Sequence, residues 1–296
     1  MIFHRPFIIA THMEKPIFTE EEAQALRKKY NPDGSLLRNQ QMELLEMLKI
    51  LGDICDKNNI QWWLSSGTLL GAIRHQGFVP WDDDVDIEMF REDYKKLEKI
   101  LSNMQDEAYV LHAMKNDAEY VRAFDKFRQR KRRVKKSTMK DRRCGCYKWE
   151  GAGIDIFVVE KSSRFAAMLS GGIFKNLIHL TSYLKTKWLR CTLNRVIEVL
   201  CLVILNPLFR LIGLINPRGE YHYMLGMGWT QYTFFKKDIL PLGKATFEGT
   251  EFPVPRDSDR HLTELYGEWY KLPTEENIKK GIHCPEFIEE IFGKSR

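Results

Sequence analysis

The stretch from Ser65 to Phe90 reads SSGTLLGAIRHQGFVPWDDDVDIEMF, and it decides the fold. Just ahead of it, Ile60 to Leu64 (IQWWL) is an apolar, aromatic run of strand length. Ser66-Gly67-Thr68 predicts a turn, and Leu69 to Arg74 suits the first turns of a helix that Gly77 and Pro80 then break. The chain becomes extended again at Asp84-Val85-Asp86-Ile87. Residues two apart on a strand face one side, about 6.6 Å from each other. Asp84 and Asp86 therefore point one way, while Val85 and Ile87 enter a core. Two carboxylates at that separation repel by roughly 2 to 3 kcal/mol in an effective dielectric of about 20. A divalent cation between them turns the repulsion into a ligand set, and a hard ion such as Mg²⁺ takes oxygen donors of this kind. Paired ions of this type clamp the attacking and leaving oxygens of a phosphoryl transfer. The Ser66-Gly67 turn complements the acids. It presents backbone N–H groups at a helix start, where phosphate is favoured, and Gly67 has no side chain to hold a ligand off.

The segments Gly67 to His75, Gly77-Phe78 and Pro80 to Asp86 resemble the signature of the LicD family. That family includes bacterial phosphocholine transferases and fukutin-type ribitol-phosphate transferases. It belongs to the nucleotidyltransferase-fold superfamily, typified by DNA polymerase beta. The superfamily pattern adds a third acid on a later strand, and Asp155 in Gly153-Ile154-Asp155-Ile156-Phe157 best fills that position. The resemblance extends to Phe247-Glu248-Gly249, to Phe252 through Pro255, and to Tyr266 through Pro273, which are similar to the family's C-terminal block. Val158-Val159-Glu160 departs from a Pro-Leu-Asp ending frequent in the family and leaves the role of Glu160 open. The region from Ser162 to Lys244 matches no named pattern.

The resemblance implies an α+β fold: a nucleotidyltransferase-like core with a small mixed β-sheet flanked by helices, plus an α-helical insertion. The domains expected are an N-terminal arm over 1–37 and a catalytic core over 38–161. A helical, membrane-proximal insertion follows over 162–245, and 246–296 completes the catalytic part. The activity implied is a metal-dependent transfer of a phospho-alcohol, foremost phosphocholine from CDP-choline, to a hydroxyl of a cell-surface glycan or its lipid-linked precursor, with release of CMP. Asp84, Asp86 and Asp155 are the expected catalytic and metal-binding acids, holding two Mg²⁺ (Mn²⁺ as the substitute), with Asp82 a further ligand or a support and Asp83 facing away. Ser66, Gly67 and Thr68 are expected to bind the diphosphate, with Arg74 as a bidentate phosphate clamp and His75 and Trp81 as further substrate contacts. A quaternary ammonium calls for an aromatic cage, for which Trp62, Trp63, Trp81, Trp149 and Trp229 are candidates. Transfer of a nucleotide rather than a phospho-alcohol, and a membrane-associated scaffold without turnover, are the alternatives.

The remaining sequence bounds these expectations. The chain has 296 residues, is 44% hydrophobic and 29% charged, and so is an ordinary globular composition for one large domain or two smaller ones. The longest apolar run in Met1 to Ala10 is Phe7 to Ala10, shorter than a signal-peptide core, so a cytoplasmic location is expected, peripheral to the inner face of the membrane. Six scattered cysteines then read as free thiols, and a zinc site from Cys144, Cys146, His283 and Cys284 lacks the usual spacing. Arg38 to Asn58 predicts an amphipathic helix with Met42, Leu45, Leu48, Leu51 and Cys55 inward, and Arg91 to Asn103 a second. Asp259 to Trp269 predicts a third. His261 and His283 read as structural or substrate-contacting, and nothing supports a Ser-His-Asp hydrolase.

Lys126 to Arg143 carries eleven basic residues and one acid, +10 in a chain whose total is +6. It reads as a solvated connection or as a surface for an anionic partner such as a nucleotide diphosphate, an anionic glycan or acidic lipid. Nucleic acid is disfavoured, because Phe127 is the one aromatic there. Phe165 to Pro217 is apolar with interleaved Lys and Arg, while its uncharged run Val199 to Phe209 is too short for a bilayer span. A buried helical insertion and a membrane-interface element are the two readings of that segment.

Overall fold

A computed structural model describes residues 18–131, 147–223, 226, 227, 229 and 231–293. Met1 to Ala10, most of the basic run (132–143) and the thiols Cys144 and Cys146 lie outside the described residues.

Two N-terminal helices, α1 (Glu20–Tyr30) and α2 (Leu36–Lys57), lead into the short strand β1 (Trp63–Leu64) and α3 (Ser66–His75). Then come β2 (Val85–Phe90), α4 (Arg91–Asn103), β3 (Tyr109–His112), β4 (Asp125–Gln129) and β5 (Gly153–Lys161). Next is a helical stretch: α5 (Arg164–Ser182), α6 (Lys187–Glu198), a π-helical segment Val199–Leu205, and α7 (Asn206–Gly213). The chain returns through β6 (Glu220–Tyr223), β7 (Phe234–Phe235) and α8 (Lys236–Ile239). It closes with β8 (Gly243–Phe247), β9 (Thr250–Val254), α9 (Ser258–Tyr266), α10 (Glu275–Gly281) and α11 (Pro285–Phe292).

The fold is α+β. Seven strands form one mixed sheet in the order β1-β2-β5-β4-β3, with β6 on β5 and β7 on β6. The nine-residue β5 is the axis, because its first half pairs with β4 and its last residues with β6. Its other edge runs parallel to β2, with Asp86 opposite Asp155 and Ile87 opposite Ile156. Parallel pairing requires a long crossover, here supplied by α4, β3, β4 and the basic connection.

The alternation of β2 sorts its side chains. Val85, Ile87 and Met89 are wholly buried in the main core with Ile154, Ile156 and Val158 of β5. Helix α2 covers that core with Leu44, Leu45, Leu48, Leu51 and Cys55, each contributing about 2 kcal/mol of burial. Met42, expected inward, is 38% exposed, because it falls outside the stripe that faces the sheet.

Glu220–Tyr223 and Phe234–Phe235, which the sequence reading places in the insertion, are β6 and β7 of the main sheet. Glu160 ties the insertion to the sheet. Buried near the end of β5, it accepts from Arg91 Nη1 at the start of α4 and from Arg210 Nε in α7, both at 2.9 Å.

Candidate active site

Three adjacent strands carry one transverse row: Asp86 on β2, Asp155 on β5 and Lys126 on β4. Neighbouring strands lie about 4.8 Å apart, so the register alone brings these charges together on the face opposite the core. The Lys126 ammonium pairs with Asp155 Oδ1. Asp84 immediately precedes β2, and Asp82 lies close enough to share a hydrogen bond with it. Asp84, Asp86, Lys126 and Asp155 line a cleft of about 950 Å³, together with Ser66 and Tyr223.

The cleft concentrates negative charge under partial burial, with Asp86 9% and Asp155 6% exposed. Burial, then the charge of Asp84, holds the Asp86 carboxyl well above the usual carboxylate range. Burial and then Asp83 raise Asp84, and burial and then Asp84 raise Asp82. Such a set is short of positive charge. The hard oxygen donors and their mutual repulsion fit a divalent cation such as Mg²⁺.

The Ser-Gly turn is bonded directly to this strand. Ser65 N donates to Asp86 O at 3.1 Å, and Asp86 N donates to Thr68 Oγ1 at 2.9 Å. The helix begins at Ser66, three residues earlier than the sequence predicts, and Ser66 takes φ = +46°, a left-handed conformation costly for a residue with a side chain. The start of α3 therefore meets the cleft, where a helix N-terminus favours anions. At Gly67 a β-carbon would fall 2.2 Å from Asp82 Oδ2, so the glycine admits the Asp82 carboxylate. Gly71 makes similar room for the carbonyl of Gly77, which a β-carbon would meet at 2.4 Å.

Several expected residues are not brought to the cleft. Arg74 is 3% exposed and donates from Nη1 to the carbonyls of Trp269 (2.7 Å) and Lys271 (3.2 Å). It clamps the C-terminal block rather than a phosphate, and burial pushes its pKa down to about 10. His75 accepts from Arg74 Nε at 3.0 Å and stacks on Phe18, while burial and then Arg74 lower it to about 3. Trp81 is buried edge-on to Tyr30. Arg74 and His75 lie on a face of α3 turned toward the C-terminal block and the N-terminal segment, and Trp81 joins the main core. Thr68 is likewise buried, with its hydroxyl on the backbone of Asp86.

Asp83 was expected to face away; it is instead buried and anchors the C-terminal segment to the acidic loop. Its Oδ2 accepts from the N–H groups of His283 and Cys284, and its Oδ1 accepts from His283 Nδ1, each at 2.9 Å. That hydrogen bond, then the charge of Asp84, raises His283 to about 9. Asp83, Asp84 and His283 offer ligand atoms all within 4.8 Å. Both Asp83 oxygens are already taken by this anchor, so Asp84 is the member of that group with ligand capacity toward the cleft.

Sequence reasoning missed Glu88, the next residue on the Asp84-Asp86 face. Fully buried, it accepts from Trp63 Nε1 (2.8 Å), Ser65 Oγ (2.5 Å) and Tyr223 OH (2.7 Å), and lies 3.2 Å from His261 Nε2. His261 and these donors hold its carboxyl below the usual range against the opposing effect of burial. The period-two alternation was the available signal. Of the five tryptophans proposed for a cage, Trp229 lines the cleft. Its ring lies 5.3 Å from Phe157, 5.9 Å from Tyr223 and 6.2 Å from Phe124. Trp62, Trp63 and Trp81 are core residues, and Trp149 packs edge-on to His112.

Fold and site together define an α+β protein whose central strands present carboxylates to a large cleft beneath a helix start. Residues 59–175 match the LicD/FKTN/FKRP nucleotidyltransferase domain, and that segment is similar to the LicD/fukutin-type family. The matched span holds the turn, all of Asp82 to Asp86, Lys126 and Asp155. Over 275 residues the chain is 27% identical to the lipopolysaccharide cholinephosphotransferase LicD of Haemophilus influenzae, covering 86% of this chain and 97% of that protein. It is 38% identical over 80 residues to the ribitol-5-phosphate transferase FKTN of Mus musculus, 25% of this chain and 16% of the relative. It is 35% identical over 57 residues to the ribitol 5-phosphate transferase FKRP of Homo sapiens, 19% of this chain and 12% of the relative.

Proposed function

We propose that the protein is a metal-dependent phosphotransferase with a nucleotidyltransferase-like core. It would move phosphocholine from CDP-choline to a hydroxyl of a glycan or lipid-linked glycan, on the cytoplasmic side of a membrane. The observation that carries this reading is the register that sets Asp86 beside Asp155, with Asp84 one step before the strand. The names of the relatives support phospho-alcohol transfer, and the lipopolysaccharide enzyme supports choline.

In this reading Asp84, Asp86 and Asp155 hold Mg²⁺, with Mn²⁺ as a substitute, and Asp82 supports Asp84 through their shared hydrogen bond. The bound ions supply charge neutralisation at the phosphate oxygens. Ser66 and the start of α3 receive the diphosphate, and Lys126 adds a positive charge beside Asp155. The aromatic wall of Phe124, Phe157, Tyr223 and Trp229 suits a quaternary ammonium. The acceptor hydroxyl attacks the distal phosphorus and gives up its proton to solvent, the bridging P–O bond breaks, and CMP leaves. Positioning and charge carry most of such a reaction.

Incubation with CDP-choline, CDP-ribitol and CTP in Mg²⁺, with product analysis, tests the reading. CMP release from CDP-choline supports it. Pyrophosphate release from CTP with the nucleotide retained on an acceptor would make the protein a nucleotidyltransferase, and no turnover of any donor would favour a scaffold.

A further inference from the structure

Residues 187–213 form one continuous helix whose apolar and polar sides are reversed relative to a water-soluble surface helix. Four of its polar groups are turned to the protein. Arg190 makes a two-pronged pair with Glu119 (2.7 and 2.9 Å), Asn194 donates to Ala118 O (2.8 Å), Asn206 accepts from Ser170 (2.8 Å), and Arg210 reaches Glu160. Its outward side carries Val196, Leu200, Val203, Leu208 and Leu211, continued by Ile215 at 77% exposure. Among the described residues, 17 of the 24 exposed large hydrophobic side chains lie between Phe165 and Ile215. Monomeric proteins in water rarely leave so concentrated an apolar surface uncovered.

The charge around this surface selects its partner. Residues 162–219 contain eight Lys or Arg and one acid, Glu198, and the exposed cations include Arg164, Lys175, Lys185 and Lys187. We propose that the outer face of α5 to α7 docks in the plane of an anionic lipid bilayer, seating its apolar stripe at the acyl boundary and its lysines among the headgroups. The helix is, at 27 residues, long and apolar enough to span a membrane. It is nevertheless fastened along its length by the Glu119, Ala118, Ser170 and Glu160 contacts, so spanning would require all of them to break. In-plane docking keeps them. The sequence left a buried insertion and an interface element open, and the exposure of this face favours the second.

The same element reaches the active site. The C-terminal end of α5 contributes His179, Ser182 and Tyr183 to the cleft lining, and Tyr183 is itself 65% exposed. Docking therefore sets the cleft mouth at the membrane surface, where a lipid-linked acceptor is presented. This consequence rests on the proposed function; the docking does not.

Sedimentation of the full chain with phosphatidylcholine vesicles, with and without phosphatidylglycerol, tests the docking in the absence of nucleotide and acceptor. Wild type should bind the anionic vesicles, and high salt should release it. Val203→Asp/Leu211→Asp/Ile215→Asp should weaken binding about tenfold or more. Lys175→Gln/Lys185→Gln/Lys187→Gln should remove a preference for anionic vesicles of about tenfold or more. All six positions are exposed, so circular dichroism and Tm of both variants should match wild type. Unchanged binding by folded variants overturns the proposal, as does a wild type that binds neither vesicle. A dimer in solution that the aspartate substitutions dissociate would assign the face to a second copy instead. Resistance of the bound protein to alkaline carbonate would overturn in-plane docking in favour of a span. Absence of CMP release in a separate assay would count against the reaction and leave the docking intact.

Discussion

At the scale of single residues, the acids and the glycines of the Ser65–Phe90 stretch serve one geometry, and each has its own test. Asp86→Asn keeps shape and removes a charge from a row that burial already makes expensive. It should lower CMP release by at least about 100-fold, with unchanged circular dichroism, measured at saturating Mg²⁺. Gly67→Ala puts a methyl group against Asp82 Oδ2. It should cost about 1 to 3 kcal/mol in stability and reduce turnover as well, read by denaturant unfolding alongside CMP release. Arg74→Ala separates structure from chemistry. It strips the donor from the carbonyls of Trp269 and Lys271, the first of them buried, so stability should fall by about 1 to 3 kcal/mol, while KM for the donor nucleotide in the folded fraction stays within about twofold. The three acids were legible because their spacing and apolar flanks imply a sheet face. Arg74, His75 and Trp81 misled because a motif residue can face either the ligand or the core. That choice is set by the C-terminal block some 195 residues away.

At the scale of elements, β5 decides the architecture by pairing with β2 on one edge and with β4 and β6 on the other. The flanking apolar residues of Asp155 made that strand visible in sequence, whereas β6 and β7 have four and two residues and no periodicity to detect. The helix over residues 187–213 was underestimated for a related reason. Glu198 and Arg210 break the apolar run in sequence, yet both have ion-pair partners in the fold. The Glu160 clamp holds this helix to the sheet, and its carboxyl lies below its ordinary value of 4.5 because Arg210 and Arg91 stabilise the charged form. A depressed acid adds stability above its unfolded pKa and loses it as pH falls through the folded value. Wild-type Tm should therefore drop below about pH 4.5, and Glu160→Gln should lower Tm at pH 7 while flattening that part of the acid dependence. The cost at pH 7 should be about 2 kcal/mol, less than for a fully buried pair because both guanidinium groups are about a quarter exposed.

At the scale of the whole molecule, distant parts of the chain converge on one cleft. The turn at Ser66, the strands of Asp86 and Asp155, the end of α5, Tyr223, Trp229 and His283 all border it. The first three and Trp229 were named from the sequence, whereas the end of α5 and Tyr223 were not, and no local pattern reports that residue 283 will bind residue 83. The charge of the cleft is the property that unites the account, because the proposed function places a divalent cation among its carboxylates. The most direct measurement is a titration of the purified full chain with Mn²⁺, followed by electron paramagnetic resonance, for wild type and for folded Asp86→Asn and Asp155→Asn. Wild type should hold Mn²⁺, compete for it with Mg²⁺, and bind it at least about tenfold more tightly than either variant. Equal affinity in all three proteins would contradict the assignment of these carboxylates as the metal site.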